Sequence, residues 1–173
     1  MIKKFFPTVI LMLVVFGTIY ILAQQILRLS ANDPQVQIAY DLARDAASGN
    51  SLDYDQKKVD LSKSLAPFVI VLDDKLKVVS SNAVLDGKTP IPPKGVFDYA
   101  KNNPDDRVTY QPKSGVRAAL VVKYFEGQQK GYVAVGRSLL EVEKREDYLL
   151  RMTAVGLVAA IAVSLWFSIF KWG

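Results

Sequence analysis

The sequence predicts an α+β fold, a five-stranded antiparallel sheet with flanking helices held between two transmembrane helices. Three observations predict it. Uncharged runs of 19 residues lie near each end, Phe5–Ala23 and Met152–Phe170. Between them, near Pro67, the spacing of apolar residues changes from three or four to two. Short β-branched runs separated by turn residues then recur as far as Gly136.

At about 1.5 Å rise per residue each uncharged run reaches roughly 28 Å, close to the hydrocarbon thickness of a bilayer. In lipid the backbone must satisfy its own polar groups, so both runs are expected as helices. Transmembrane segments are assigned to residues 5–27 and 151–170, and the domain to residues 28–150. A cleaved signal peptide is the competing reading of the first run, because Met1-Ile2-Lys3-Lys4 makes a positive n-region. The apolar stretch exceeds the usual core of about 7–15 residues, and Ile21 is a poor partner for Ala23 at a cleavage site, so an uncleaved span is favoured. Lys3 and Lys4 beside the first span and Lys171 after the second put both termini in the cytoplasm and the domain outside the cell membrane. Arg28, Lys144, Arg145 and Arg151 flank the spans on the domain side, but their loop is too long for the charge rule to weigh it heavily.

Net charge is +5, yet three of the 22 Lys and Arg residues lie outside Arg28–Arg151, leaving 19 against 17 acids there. The bases are scattered among the acids, so no basic stripe for nucleic acid forms. With no Cys there is no disulfide, thiol nucleophile or lipoprotein anchor. With no His there is no Ser-His-Asp triad and no imidazole ligand. Catalysis would have to rest on Asp, Glu, Lys, Tyr or Ser, and no such constellation is legible, so an enzyme is not expected.

Asn32 or Asp33 can cap a helix that has Pro34 in its first turn. Val36, Ala39, Leu42, Ala43 and Ala46 then give it one apolar face up to Gly49. A polar linker follows at 50–58, and Val59–Leu65 is expected as one more helical turn. Phe68–Leu72 and Leu76–Val79 around Asp73-Asp74 predict a hairpin, and Ser80–Pro93 a turn-rich loop. Gly95–Asn102 predicts a short helix. Arg107–Gln111, Val116–Phe125 and Gly131–Gly136 predict three more strands, with the helices on one side of the sheet. Leu139–Phe170 is expected as one nearly continuous helix, its first turns stabilised by pairs such as Glu141–Arg145.

Two motifs carry a resemblance. Phe68-Val69-Ile70-Val71-Leu72-Asp73-Asp74 followed by Val78-Val79-Ser80-Ser81 looks like the first hairpin of the extracytoplasmic PAS-like (Cache or PDC) sensor domains of bacterial histidine kinases and chemoreceptors. Gly131-Tyr132-Val133-Ala134-Val135-Gly136-Arg137-Ser138-Leu139 looks like their last strand. The resemblance covers about Pro34 to Arg151. It implies a pocket for a small organic acid or amino acid on one face of the sheet. An Arg fork suits a carboxylate, which makes Arg117 the candidate anchor, with Arg107, Tyr110 and Tyr132 as neighbours. By alternation Arg117, Ala119, Val121 and Lys123 share a face, and the competing reading makes that face the solvated one. Asp73-Asp74 and Asp105-Asp106 lack the spacing of a calcium loop and read as turns, so neither metal nor cofactor is expected.

Only Lys171-Trp172-Gly173 follow the second span, whereas the resembled kinases continue into an output domain. The expected function is therefore a sensor-like domain that binds a small ligand or a protein and modulates another membrane protein: a kinase, receptor or transporter. The alternative is a structural or accessory subunit with no ligand of its own. Gly156, Ala160 and Ser164 form a small-residue row in the second span, suited to packing on the first span, to self-dimerisation or to docking on a partner.

Overall fold

The structure, a computed structural model, describes residues 2–50, 52 and 57–170. Most of the expected linker and Lys171 lie outside these. The chain divides into two units, one holding the terminal helices up to Leu29 and from Val142, the other Ser30–Glu141.

In the first unit α1 (Ile2–Ser30) and the last helix of the chain (Leu140–Phe170) are each long and apolar enough to cross a membrane, and their apolar windows are unburied. Within the unit the two helices touch. A Cβ on Gly156 would stand 3.0 Å from Phe16 Cε1, and Arg28 Nε donates to Glu146 Oε1 at 2.7 Å. Gly156, Ala160 and Ser164 are all partly covered.

The second unit is built around α2 (Asp33–Ala47), whose first turn contains Pro34. Strands follow: β1 (Val59–Asp60), β2 (Phe68–Asp73), β3 (Val78–Ser81) and β4 (Ala83–Val84). Then come α3 (Lys94–Asn102), β5 (Asp106–Lys113), β6 (Val116–Glu126) and β7 (Lys130–Ser138), with α4 (Leu140–Phe170) last. The main sheet is antiparallel throughout in the order β3-β2-β7-β6-β5. The last strand therefore sits at its centre.

Two expectations are corrected. Val59–Leu65 makes a helical turn only in part: Asp60 O accepts Ser64 N–H at 2.8 Å, while Val59 N–H donates to Asn82 O and Leu61 N–H to Val84 O, pairing β1 in parallel with β4. The donors of Val59 and Leu61 go to this long-range ladder, and those of Lys63 and Ser64 to the turn. The helices also do not lie on one side. Ala39, Leu42, Ala43 and Ala46 of α2 pack with Val69, Val71, Val121, Val133 and Val135 on one face. Phe97 and Ala100 of α3 pack with Phe68, Ile70, Leu72, Leu120 and Ala134 on the other. Strands covered on both faces read as continuous apolar runs, and Ala118–Val122 are all buried.

Glycines let the elements close up at two points. The ring of Phe68 lies against Gly136, its register partner, where a Cβ would meet it. Gly127 lies under the Ala47 carbonyl, and the next residue, Gln128, donates its N–H to that oxygen at 2.8 Å, tying the end of α2 to the β6–β7 turn.

Candidate functional site

Arg117, Arg107, Tyr110 and Tyr132 fall on two faces of the sheet. Tyr110 pairs with Ala118 and packs, half-buried, against the α3-side core. Tyr132 is 4 % exposed on the same side, with its ring 5.3 Å from Phe97 and 5.2 Å from Tyr124. Burial raises the pKa of both tyrosines. Arg107 pairs with Val121, which faces α2. Arg117 is exposed on that α2 face, four residues before Val121 and so roughly 13 Å along the strand. Its carbonyl accepts Leu139 N–H at 2.9 Å, at the start of the chain's exit from the sheet.

The centre of that α2 face is covered, not solvated: Ala119 is 4 % and Val121 0 % exposed. Lys123 donates to Pro104 O at 2.9 Å and lies 3.7 Å from the centroid of the Tyr40 ring on α2. Beside it Arg107 forks onto Asp105 through Nε and Nη2, both at 3.0 Å, while Tyr40 OH donates to the same carboxylate at 3.1 Å. The Arg107 bond holds the Asp105 carboxyl below its usual range; burial, then the Asp105 charge, raise the Tyr40 phenol. These groups satisfy one another and latch α2 to the β5–β6 side of the sheet.

Openings of about 390 Å³ beside Tyr40 and Lys123 and about 450 Å³ beside Tyr110 adjoin these residues, and a further space lies elsewhere. A cavity of about 570 Å³ opens over β2 and β3 on the α2 side, beyond the end of that helix. Its floor is Ala46, Val71 and Phe125, each buried; polar groups reach it from Lys58, Ser80, Thr89 and Lys130. The Asp73↔Gly131 pairing sets the β6–β7 turn beside the β2–β3 turn, which brings Lys130 to this rim. Lys58 immediately precedes β1 and donates to Ser81 O at 3.2 Å. Ser81 itself is internal, its Oγ donating to Val69 O at 3.1 Å and accepting Ala83 N–H at 3.0 Å. None of the four rim residues carries a sequence signal, because they lie in separate segments that only the topology brings together. Among the described residues no group of three acids that would hold a metal occurs.

The chain matches no family model, no curated protein and no solved structure.

Proposed function

We propose that this chain is a membrane-anchored sensor-like module: an extracytoplasmic PAS-like domain that binds a small molecule or a protein and modulates a membrane partner. The open cavity over β2 and β3 carries the reading, since about 570 Å³ based on Ala46, Val71 and Phe125 and walled largely by polar residues is room for a small polar molecule. The PAS-like assignment is supported by the sheet order, with the first hairpin at one edge and the last strand central. Transmission runs through α4, unbroken from Leu140 to Phe170, which starts two residues after β7.

A second reading, an accessory subunit that only packs on its partner, is favoured by the α3 side of the sheet. There Phe68, Phe97, Leu120 and Tyr132 fill the interior between the sheet and α3.

The natural absence of cysteine gives a clean test. Phe16→Cys with Gly156→Cys introduces the only two thiols, and the rate of oxidative crosslinking in nanodiscs reports on the α1–α4 contact. A panel of organic acids, amino acids and sugars is added singly, with thermal unfolding in parallel. At a hundredfold excess over Kd, binding to the native state stabilises it by about 2.7 kcal/mol. A compound that raises the unfolding temperature and changes the crosslinking rate supports the sensor. A panel that changes neither favours the accessory subunit.

A further inference from the structure

We infer that α1 and α4 form a register-locked antiparallel pair whose catch is the Arg28–Glu146 fork, so that α4 slides along α1 only when that fork opens. The inference rests on both helices being membrane spans, as in the reading above, and needs no ligand. Two contacts fix the register. Phe16 meets Gly156, and Arg28 grips Glu146 through two bonds, Nε to Oε1 at 2.7 Å and Nη2 to Oε2 at 3.3 Å. At about 1.5 Å per residue, stretches 16–28 of α1 and 146–156 of α4 are about 18 and 15 Å long, so one seam serves both.

Partly covered residues trace that seam. They include Met12, Phe16, Tyr20, Ala23 and Leu27 on α1, and Glu146, Leu149, Thr153, Gly156 and Ala160 on α4, at spacings of three and four. In an antiparallel pair a step up one helix is a step down the other, so Met12 falls level with Ala160, Tyr20 with Thr153 and Ala23 with Leu149. Large side chains of α1 thus stand over small ones of α4 through three layers, and the order reverses at Ala23 and Leu149. That reversal singles out one register, since a slip of one turn sets Leu149 against Tyr20 or against Leu27, two large side chains in one layer. The small-residue row of α4 is thereby used inside the chain: small residues let helices approach closely in lipid, and α1 takes the approach. Packing still leaves Phe16 a path from Gly156 to Ala160. The fork closes it, because a slip of one turn, about 5.4 Å, breaks both of its bonds. The Glu146 side chain is 14 % exposed, so water screens this pair less than one in the open.

Since the chain has no cysteine, paired thiols read the register in the full chain in liposomes of zwitterionic lipid. Met12→Cys is combined with Ala160→Cys, Ser164→Cys or Leu157→Cys, which leaves Phe16, Gly156 and the fork in place. Disulfides join Cα atoms about 4.4–6.8 Å apart, so the pair with Ala160→Cys should oxidise about tenfold faster than either other pair. Arg28→Glu sets like charge against Glu146 and should cut that advantage to about threefold or less. Arg28→Glu with Glu146→Arg should restore it, which excludes misfolding as the cause. Ala160→Cys alone should give no more crosslinked dimer than Val158→Cys, whose side chain is exposed on α4. Equal rates for the three pairs, an advantage indifferent to Arg28→Glu, or more dimer from Ala160→Cys than from Val158→Cys overturns the inference. A single register with no compound altering Phe16–Gly156 crosslinking leaves this inference standing without the sensor. Equal rates with a compound that still alters that crosslinking do the reverse.

Discussion

Gly136→Ala adds one methyl group at the most crowded point of the sheet. A Cβ built there would have Phe68 Cε1 and Cε2 at 2.7 and 2.8 Å, with Cζ nearer still. Carbon atoms in contact sit about 3.5–4.0 Å apart, so the ring must retreat by roughly 1 Å. It has nowhere to go, because Phe68 is 1 % exposed and enclosed by the α3-side core. Overpacking of this kind costs about 1–3 kcal/mol, and the end-on approach to a fully buried ring puts the expected loss near the top of that range. At about 4 °C per kcal/mol the unfolding temperature should fall by roughly 10 °C. Phe68→Leu removes the clashing ring and alone should cost about 1–2 kcal/mol through the space it leaves. Combined, the two changes should be less damaging than their sum by about 1–2 kcal/mol, because the added methyl enters the vacated volume. Unfolding would be followed by near-UV circular dichroism of the tyrosines, since both tryptophans, Trp166 and Trp172, lie outside the domain. A Gly136→Ala protein within about 2 °C of wild type, or strictly additive single and double variants, would refute the packing argument.

Two further outcomes follow from the α2 side. Because Asp105 has a lowered folded pKa, its contribution is present above the unfolded carboxyl value of about 3.9 and is lost as pH falls toward the folded value. Asp105→Asn should therefore destabilise by about 1 kcal/mol at pH 7, and the gap to wild type should close as pH drops below about 4; a pH-independent gap counts against the latch. Gly127→Ala should push the Ala47 carbonyl away and break its bond with Gln128 N–H, seen as faster hydrogen exchange at Gln128 and in the last turn of α2 with β5 unchanged. Unchanged exchange at Gln128 would mean that the turn yields without cost.

What could be read from sequence was set by local chemistry. Pro34 and the spacing of Ala39, Leu42, Ala43 and Ala46 mark α2 to within a residue at each end, and turn residues separate β5, β6 and β7. The last-strand motif is also physical: Gly131 lies under the Leu72 carbonyl and Gly136 under the Phe68 ring, so both positions exclude a side chain. β1 was illegible because two residues have no period of their own and depend on β4. The solvated reading of the α2 face of β6 fails because only its ends, Arg117 and Lys123, are charged, while Ala119 and Val121 between them are covered. Charge at the ends of a strand says little about its middle. The cavity rim was beyond reach for a related reason, as Lys58, Ser80, Thr89 and Lys130 are neighbours only once β7 has paired with β2.

That pairing also orders events in time. β7 is hydrogen-bonded to β2 on one side and β6 on the other, so it joins the early hairpin to the late strands. In a chain emerging N-terminus first, residues 68–126 hold apolar strands whose inner edges stay open until Lys130–Ser138 appears. β2 then stays open to chance pairing until β7 emerges, whereas β6 waits only for the short turn before Lys130, so the β2 edge is the one that calls for a holding chaperone. Closure comes with the final strand, and only Leu139 separates that strand from α4. Completion of the sheet and arrival of the second apolar helix are therefore nearly one moment in the life of the chain. A truncation that ends before Lys130 would leave two sheet fragments with no keystone, however much of the sequence it retained.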